Sequence, residues 1–259
     1  MNICMLLTLP MYDYPELTSA TETWAAEIAR FARRVVRMSR PIDYVAAWER
    51  DDLVFSQTCG YPFTHEFRGS LGLVGTPHFG VTGCEGFRYS SMIFARDERP
   101  PNEYRGTVAA VNTPDSMSGM LALKSFFISV AQEGRFFSKA ILSGGHLRSL
   151  EALHRGDADV CAIDAVCVAY VRRYRPQLLD GLYEIGETVR VPGLPYVTRE
   201  QDIGRWRDAV VAAMTDPGLA EIRHTLMIDG FTATVASDYD EILDLESEIE
   251  AAGGLRLLG

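Results

Sequence analysis

The chain has 259 residues, of which 47% are hydrophobic and 23% are charged. This composition is typical of one large or two small globular domains with a substantial core, and it excludes disordered, collagen-like and coiled-coil chains. The net charge of −10 argues against nucleic-acid binding, which needs a basic surface, and no apolar stretch reaches the roughly 20 residues that span a bilayer.

Apolar runs alternate with helical periodicity, which predicts an α/β fold with largely parallel strands. In chain order, we expect strands at residues 3–9, 53–56, 71–75, 89–95, 108–112, 141–143, 160–163 and 182–186. A capping box formed by Ser19 and Glu22 predicts a first helix whose apolar face extends to Val35. Further helices are expected at 121–130, 147–155, 199–214 and 217–225, and the last helix begins at Asp238.

The five cysteines are an odd number and include no CxxC pair, so we predict neither a disulfide framework nor a zinc site. Free thiols are typical of a reducing compartment. Residues 1–9 are apolar, but no basic residue precedes them and no small-residue cleavage site follows. We therefore expect a buried first strand and a cytoplasmic protein as written, or a periplasmic one if a leader precedes this sequence.

The strongest local motif is the helix start that contains Ser116, Ser118 and Gly119. Two hydroxyls and several unpaired backbone N–H groups at a helix N-terminus favour a phosphate-like anion. An ordinary serine N-cap explains the same residues and stays an alternative. The motif follows a predicted strand, and ligands bind at the carboxyl ends of the strands in open α/β sheets.

Other candidate ligand contacts also lie next to predicted strands. Thr58 and Tyr61 follow the second strand, Tyr12 follows the first, and Tyr89 begins the fourth. Tyrosines can pack on a small ligand and bind it through the hydroxyl, although each of these residues is equally explained as part of a turn, the core or a rim. Cys59 is interpreted as inert because no base accompanies it.

His146 and Asp164 follow two later strands. The imidazole of His146 can donate to an oxyanion or act as an acid or base, or it can be a surface or capping residue. Asp164 is either a carboxylate that faces a ligand or a helix N-cap. No established catalytic motif and no nucleophile–base pair is evident, so we expect binding rather than catalysis, with no metal and no cofactor.

The order of these motifs resembles the phosphate, phosphite and phosphonate substrate-binding proteins of ABC transporters. The residues that carry the resemblance are 9–12, 56–62, 83–91, 112–119, 143–146, 156–164, 192–195 and 230–231. The resemblance implies a type II periplasmic-binding-protein fold, in which two α/β lobes are joined by two crossover strands with a cleft between them. Lobe 1 would comprise residues 1–90 and 188–259, and lobe 2 residues 91–187.

The resemblance also implies a function, namely a solute-binding protein that closes its lobes over a small oxyanion such as phosphonate or phosphate. Such a protein serves transport or sensing, and its implied partner is an ABC permease. The ligand contacts implied are Tyr12, Tyr61, Tyr89, Ser116, Ser118, Gly119, His146 and Asp164. Thr58 stays a further candidate from its position after the second strand. Met117 stands where the family often has a hydroxyl residue, which points to a bulkier or less charged ligand.

Two alternatives stay open. The chain can be a cytosolic enzyme on the same fold, similar to enzymes of menaquinone or thiamine-pyrimidine synthesis, because a fold alone does not fix function. It can also be a scaffold whose cleft no longer binds a ligand. Turnover of a candidate substrate supports the enzyme, and saturable binding without turnover supports the binding protein.

Overall fold

A computed structural model of the chain describes residues 5–257. The strands within this range form three sheets. In chain order they are β1 (Met5–Thr8), β2 (Val36–Met38), β3 (Leu53–Gln57), β4 (Gly72–Phe79), β5 (Cys84–Glu85), β6 (Arg88–Tyr89), β7 (Ser91–Ala95), β8 (Val108–Val111), β9 (Lys139–Leu142), β10 (Val160–Asp164), β11 (Tyr183–Glu187), β12 (Val191–Pro192), β13 (Tyr196–Thr198) and β14 (Ile228–Thr232).

The helices connect these strands. They are α1 (Thr18–Phe31), α2 (Tyr44–Trp48), α3 (Gly60–Pro62), α4 (Ala122–Phe127), α5 (His146–Arg155), α6 (Ala165–Tyr174), α7 (Ile203–Thr215), α8 (Ala220–Thr225) and α9 (Asp240–Ala251). Two π-helical turns, Phe63–Phe67 and Met117–Leu121, run directly into or out of α3 and α4. Within residues 5–257, no helix combines the length and the apolar character that a membrane crossing needs.

The described residues divide into two compact units. Unit 1 comprises residues 5–80, Glu85–Arg88 and Pro192–Tyr239, and unit 2 comprises Val81–Cys84, Tyr89–Val191 and 240–257. The bounds expected from the sequence differ, because they assign 188–259 to the first lobe. In the structure α9 packs on α4, and the tail after α9 is held in unit 2 by a hydrogen bond from Arg256 N–H to the Gly134 carbonyl (3.0 Å).

Unit 1 contains a six-stranded sheet in the order β14-β4-β13-β3-β1-β2. β1 pairs in parallel with β2 and β3, whereas β13 and β14 pair antiparallel to their neighbours. Every residue of β3 is buried. Helix α1 packs on α7, and Trp24 of α1 donates its indole N–H to the hydroxyl of Tyr196 in β13 (3.0 Å).

The first helix differs from its prediction at both ends. α1 begins at Thr18 after Leu17, with no side-chain cap, so the capping box predicted at Ser19 and Glu22 is wrong. The helix ends at Phe31, and Val35 lies beyond it with 88% of its surface exposed. The apolar spacing predicted the buried face through Ile28 correctly, but the left-handed conformation of Arg33 (φ 54°) follows the end of the helix before Val35 is reached.

Unit 2 contains a five-stranded sheet in the order β11-β7-β10-β8-β9. β10, β8 and β9 are parallel, whereas β7 is antiparallel to both of its neighbours, so the sheet is mixed rather than largely parallel. β10 is buried along its whole length. Because β9, β8 and β10 run in the same direction, the polar segments that follow them begin at one edge of the sheet.

Removing the Tyr196 hydroxyl should destabilise unit 1. The variant Tyr196→Phe leaves the buried indole N–H of Trp24 without its acceptor, and an unsatisfied buried donor costs about 1–3 kcal/mol of folding free energy. Urea unfolding measures this loss. The control variant is Tyr183→Phe, because that ring is 45% exposed and should lose less than about 0.5 kcal/mol. Equal stabilities of the two variants would contradict the assignment of this hydrogen bond.

Candidate functional site

The segment that follows β8 in unit 2 forms a helix start rich in hydrogen-bond donors. Ser116 is the N-cap residue, and its Oγ accepts a hydrogen bond from the backbone N–H of Gly119 (3.0 Å). The N-cap alternative is therefore confirmed for Ser116. The next two residues, Met117 and Ser118, occupy the first helical positions, where backbone N–H groups have no partner within the helix.

Gly119 is required by a close approach of the chain to Asn112. A Cβ atom at position 119 would lie 1.9 Å from Oδ1 of Asn112, which is far below van der Waals contact. The Asn112 oxygen is buried and has no hydrogen-bond partner among the described residues. Gly119 therefore permits the tight packing of the helix start on the end of β8.

The helix start is a π-helical turn, Met117–Leu121, rather than a regular α-helical one. Such turns are rare and are found frequently at functional sites. The side chain of Met117 is buried, with 1% exposure. Its sulfur therefore belongs to the interior of unit 2.

The segment after β9 brings an imidazole to the same helix start. The Ser143 N–H donates to the carbonyl of Val111 at the end of β8 (2.8 Å), and the Gly144 N–H donates to the carbonyl of Asn112 (2.8 Å). Helix α5 then begins at His146, whose Nε2 lies 2.9 Å from Oγ of Ser118. Two residues that are 28 positions apart thus form one hydrogen-bonded pair at the sheet edge.

The environment of His146 keeps its ring neutral. The residue as a whole is partly exposed, but its Nδ1 is buried and has no hydrogen-bond partner among residues 5–257. Loss of hydration lowers the pKa of His146 to about 4, and a hydrogen-bond interaction with the backbone of Ala162 acts in the opposite direction. Near pH 7 the imidazole is uncharged, so it can donate or accept one hydrogen bond at each nitrogen according to its tautomer.

Asp164 ends β10 beside these two segments and is 1% exposed. Its Oδ1 accepts hydrogen bonds from the N–H groups of Val166 (2.7 Å) and Cys167 (3.3 Å), so the predicted helix N-cap is confirmed. One ring nitrogen of His146, a carboxylate oxygen of Asp164 and the sulfur of Cys167 lie within 4.8 Å of one another. A role of Asp164 in ligand binding stays a prediction.

The candidates in unit 1 lie at the ends of two parallel strands. Tyr12 follows β1 with a left-handed backbone (φ 59°), and its ring packs edge-on against Phe79 (5.2 Å between centroids). A non-glycine residue in this conformation carries strain of about 1–3 kcal/mol, which often marks a functional position. Thr58 is fully buried and donates to the carbonyl of Cys59 (3.3 Å).

The remaining two tyrosines lie in different surroundings. Tyr61 stacks on the ring of His65, with centroids 3.8 Å apart. Tyr89 lies in β6 and is buried, with 3% exposure. The structure therefore brings Ser116, Ser118, Gly119, His146 and Asp164 together in unit 2, and it describes Tyr12, Thr58 and Tyr61 separately in unit 1. Ligand contacts by any of them stay predictions.

Sequence reasoning missed three features of this region. It found no nucleophile–base pair, yet Ser118 and His146 are hydrogen-bonded. It did not single out Cys167, although the sulfur lies beside His146 and Asp164. It also did not predict the π-helical turn. The sequence held one signal for the Ser118–His146 pair. A histidine preceded by two glycines follows a strand, and an earlier strand is followed by a helix start that contains a serine.

Comparisons with known proteins agree with this architecture. Residues 9–239 match the family model of phosphonate periplasmic substrate-binding proteins of ABC transporters. A search of curated proteins finds no match. Among solved structures, PhnD1 from Prochlorococcus marinus in complex with methylphosphonate superposes with a TM-score of 0.76 at 14% identity, covering 95% of this chain and 98% of that one.

Two other solved structures are similar. A binding protein component of an ABC phosphonate transporter from Pseudomonas aeruginosa gives a TM-score of 0.77 at 14% identity, covering 96% of this chain and 87% of that one. A Xanthomonas citri protein bound to ATP gives a TM-score of 0.70 at 16% identity, covering 96% of this chain and 98% of that one.

The two mixed α/β sheets define a periplasmic-binding-protein-like fold, as the sequence predicted. The chain belongs to the phosphonate substrate-binding protein family of ABC transporters, because the family model spans most of its length.

Replacing Gly119 should disturb the helix start. In Gly119→Ala the new methyl group overlaps Oδ1 of Asn112, so the variant should lose about 1–3 kcal/mol of stability in urea unfolding. The control Gly204→Ala places a methyl group in α7 with only an ordinary contact and should be neutral or slightly stabilising. The double variant Asn112→Ala/Gly119→Ala should recover part of the loss. Additive effects of the two substitutions would contradict the overlap.

The pH dependence of stability should report the pKa of His146. Its pKa in the folded chain is about 4, below the value of 6.5 for an ordinary histidine, so the unfolded chain binds the proton more readily. Stability is therefore unaffected above pH 7 and falls by up to about 3 kcal/mol as the pH drops from about 6.5 to 4.

The comparison is between wild type and His146→Gln, by urea unfolding at pH 7 and pH 4.5 without divalent cations. The variant should lose less stability on acidification, whereas His154→Gln on the exposed part of α5 should behave as wild type. Parallel losses in wild type and His146→Gln would show that this imidazole titrates normally.

Proposed function

We propose that the chain binds a small phosphorus oxyanion, of the phosphonate or phosphate class, at the helix start in unit 2. The observation that carries the proposal is the hydrogen-bonded pair of Ser118 and His146 at this edge of the sheet. Methylphosphonate is the ligand of the similar PhnD1 structure and is our first candidate for this chain.

The chemistry of the site supports an anion. The helical segments that begin at Met117, His146 and Ala165 all start at the edge where β8, β9 and β10 end. A helix N-terminus carries a partial positive charge and unpaired N–H groups, which favour a negatively charged ligand. Ser118 is 5% exposed, so its hydroxyl acts in a medium where hydrogen bonds to a charged group are strong.

The neutral state of His146 supports recognition through hydrogen bonds rather than through a fixed positive charge. With a pKa of about 4, the ring carries no charge at physiological pH. The Ser118 hydroxyl has one hydrogen and His146 accepts or donates at Nε2, so a bound oxyanion competes with or extends this bond. Such a site selects its ligand by shape and by the positions of the ligand's hydrogen-bonding atoms.

The family supports a role in transport. Its members are described as periplasmic substrate-binding proteins of ABC transporters, and we propose the same compartment and an ABC permease partner for this chain. The hinge closure that the resemblance implies, and sensing in place of transport, stay predictions. The enzyme alternative is disfavoured because an imidazole with a pKa of about 4 is a weak general base for Ser118 at neutral pH.

The test is isothermal titration calorimetry with methylphosphonate, phosphite, phosphate, sulfate and ATP. Saturable binding of a phosphorus oxyanion is expected, and Ser118→Ala should weaken it by about 1–3 kcal/mol, or about 5- to 150-fold in affinity. Ser125→Ala on α4, whose hydroxyl donates to the Ala122 carbonyl, is the matched control and should bind as wild type.

The proposal fails if none of these anions binds, or if Ser118→Ala binds them as tightly as wild type. A phosphorus NMR spectrum of bound methylphosphonate over time separates the two functional classes. An unchanged ligand supports a binding protein, whereas conversion to a new phosphorus species would favour an enzyme.

A further inference from the structure

A second chemical feature lies next to the Ser118–His146 pair and is not explained by anion binding. A ring nitrogen of His146, a carboxylate oxygen of Asp164 and Sγ of Cys167 lie within 4.8 Å of one another. Asp164 and Cys167 are buried, with 1% and 7% exposure. Imidazole, carboxylate and thiolate groups are the three side-chain types that bind Zn²⁺ in proteins.

The buried Nδ1 of His146 supplies an independent observation. It makes no hydrogen bond of normal geometry among the described residues, although the backbone of Ala162 interacts with the ring and the atom is inaccessible to solvent. Buried polar atoms in proteins are nearly always satisfied, and an exception calls for an unseen water or ion. The other ring nitrogen is held by Ser118, and a second hydrogen bond of this kind is what orients a metal-binding histidine.

The distances suit a metal after a small adjustment. In tetrahedral sites the Zn–N and Zn–O bonds are about 2.0–2.1 Å and the Zn–S bond is about 2.3 Å, so the ligand atoms lie roughly 3.3–3.6 Å apart. The three atoms here need to approach by no more than about 1.5 Å, which rotations of the cysteine and histidine side chains can supply. Asp164 can keep its helix-capping bonds at Oδ1, since a carboxylate has several acceptor positions.

Charge also favours a divalent cation at this place. As metal ligands, a carboxylate and a thiolate bring two negative charges, which a divalent ion neutralises. The carboxylate of Asp164 also lies in the region where we place an anionic ligand, and a cation removes the repulsion between the two. The sulfur and imidazole select Zn²⁺ or a similar transition metal, because Mg²⁺ and Ca²⁺ prefer oxygen ligands.

We propose that His146, Asp164 and Cys167 form a site for Zn²⁺ or a similar borderline transition metal. The three residues occupy three coordination positions and leave the fourth to water or to an oxygen of an anion. This proposal departs from the expectation of no metal that the sequence motifs gave. It shares His146 with the proposed anion site, but metal binding is measured without any phosphonate, so the two proposals can fail separately.

The experiment uses the untagged full chain, freed of metal with a chelator and kept reduced. Equilibrium dialysis against Zn²⁺ should find a single ion per chain at micromolar free metal or below, and no binding of Mg²⁺ at the same concentration. Substitution with Co²⁺ should give a sulfur-to-metal charge-transfer absorption, which reports a thiolate ligand directly.

Matched variants identify the ligands. Cys167→Ser and His146→Asn should weaken Zn²⁺ binding at least about tenfold, since even the loss of an outer-shell partner costs about 10- to 100-fold. Cys161→Ser, at a buried cysteine in β10 that is absent from the cluster, and His154→Asn on α5 should bind as wild type. Asp164→Asn retains a residue that can cap α6, so it tests the carboxylate without removing the helix cap.

The proposal is overturned if the wild type binds no Zn²⁺ at micromolar concentrations, or if Cys167→Ser and His146→Asn bind it unchanged. It is also overturned if Co²⁺ binds without the charge-transfer band, or if the cobalt band is lost equally in Cys161→Ser. Circular dichroism of each variant establishes that it is folded before its metal affinity is compared. Failure of metal binding leaves phosphonate binding by Ser118 untouched, and the reverse holds as well.

Discussion

The parallel pairing of β9, β8 and β10 is the constraint on which the candidate site depends. Hydrogen bonds between neighbouring strands fix their register. Val111 and Leu142, the last residues of β8 and β9, are therefore paired with each other. β10 pairs with β8 in the same direction. The residues that follow these strands therefore meet at one edge, although they come from three separate parts of the chain.

Hydrogen bonds beyond the strands extend this alignment into the site. The carbonyls of Val111 and Asn112 accept bonds from Ser143 and Gly144, which ties the segment after β9 to the segment after β8. The position of His146 at the first turn of α5 then follows, and its ring reaches Ser118. Burial has two effects on this pair. Loss of hydration lowers the pKa of His146, and a low local dielectric strengthens hydrogen bonds to any charged group that binds there.

Much of the candidate site could be predicted from the sequence, because its residues lie at helix starts with local signals. Asp164 was predicted as a possible N-cap, and Ser116 likewise, and both accept backbone N–H groups. The failures have equally local causes. The capping box at Ser19 and Glu22 fits the pattern, but the preceding 3₁₀ turn, Pro15–Leu17, starts the helix at Thr18. The strands β2, β13 and β14 were missed because each is short or only partly buried.

The sequence by itself indicated an α/β fold through apolar periodicity and turn residues, and it indicated the family through its resemblance in motif order, because these patterns lie along the chain itself. Only the tertiary structure decided which residues at the strand ends act together. Ser118 and His146, or Cys167 and His146, are separated by many residues, and no local pattern sets the distance between their side chains. That distance is set by strand register and by the burial of neighbouring groups, which arise only when the whole sheet is assembled.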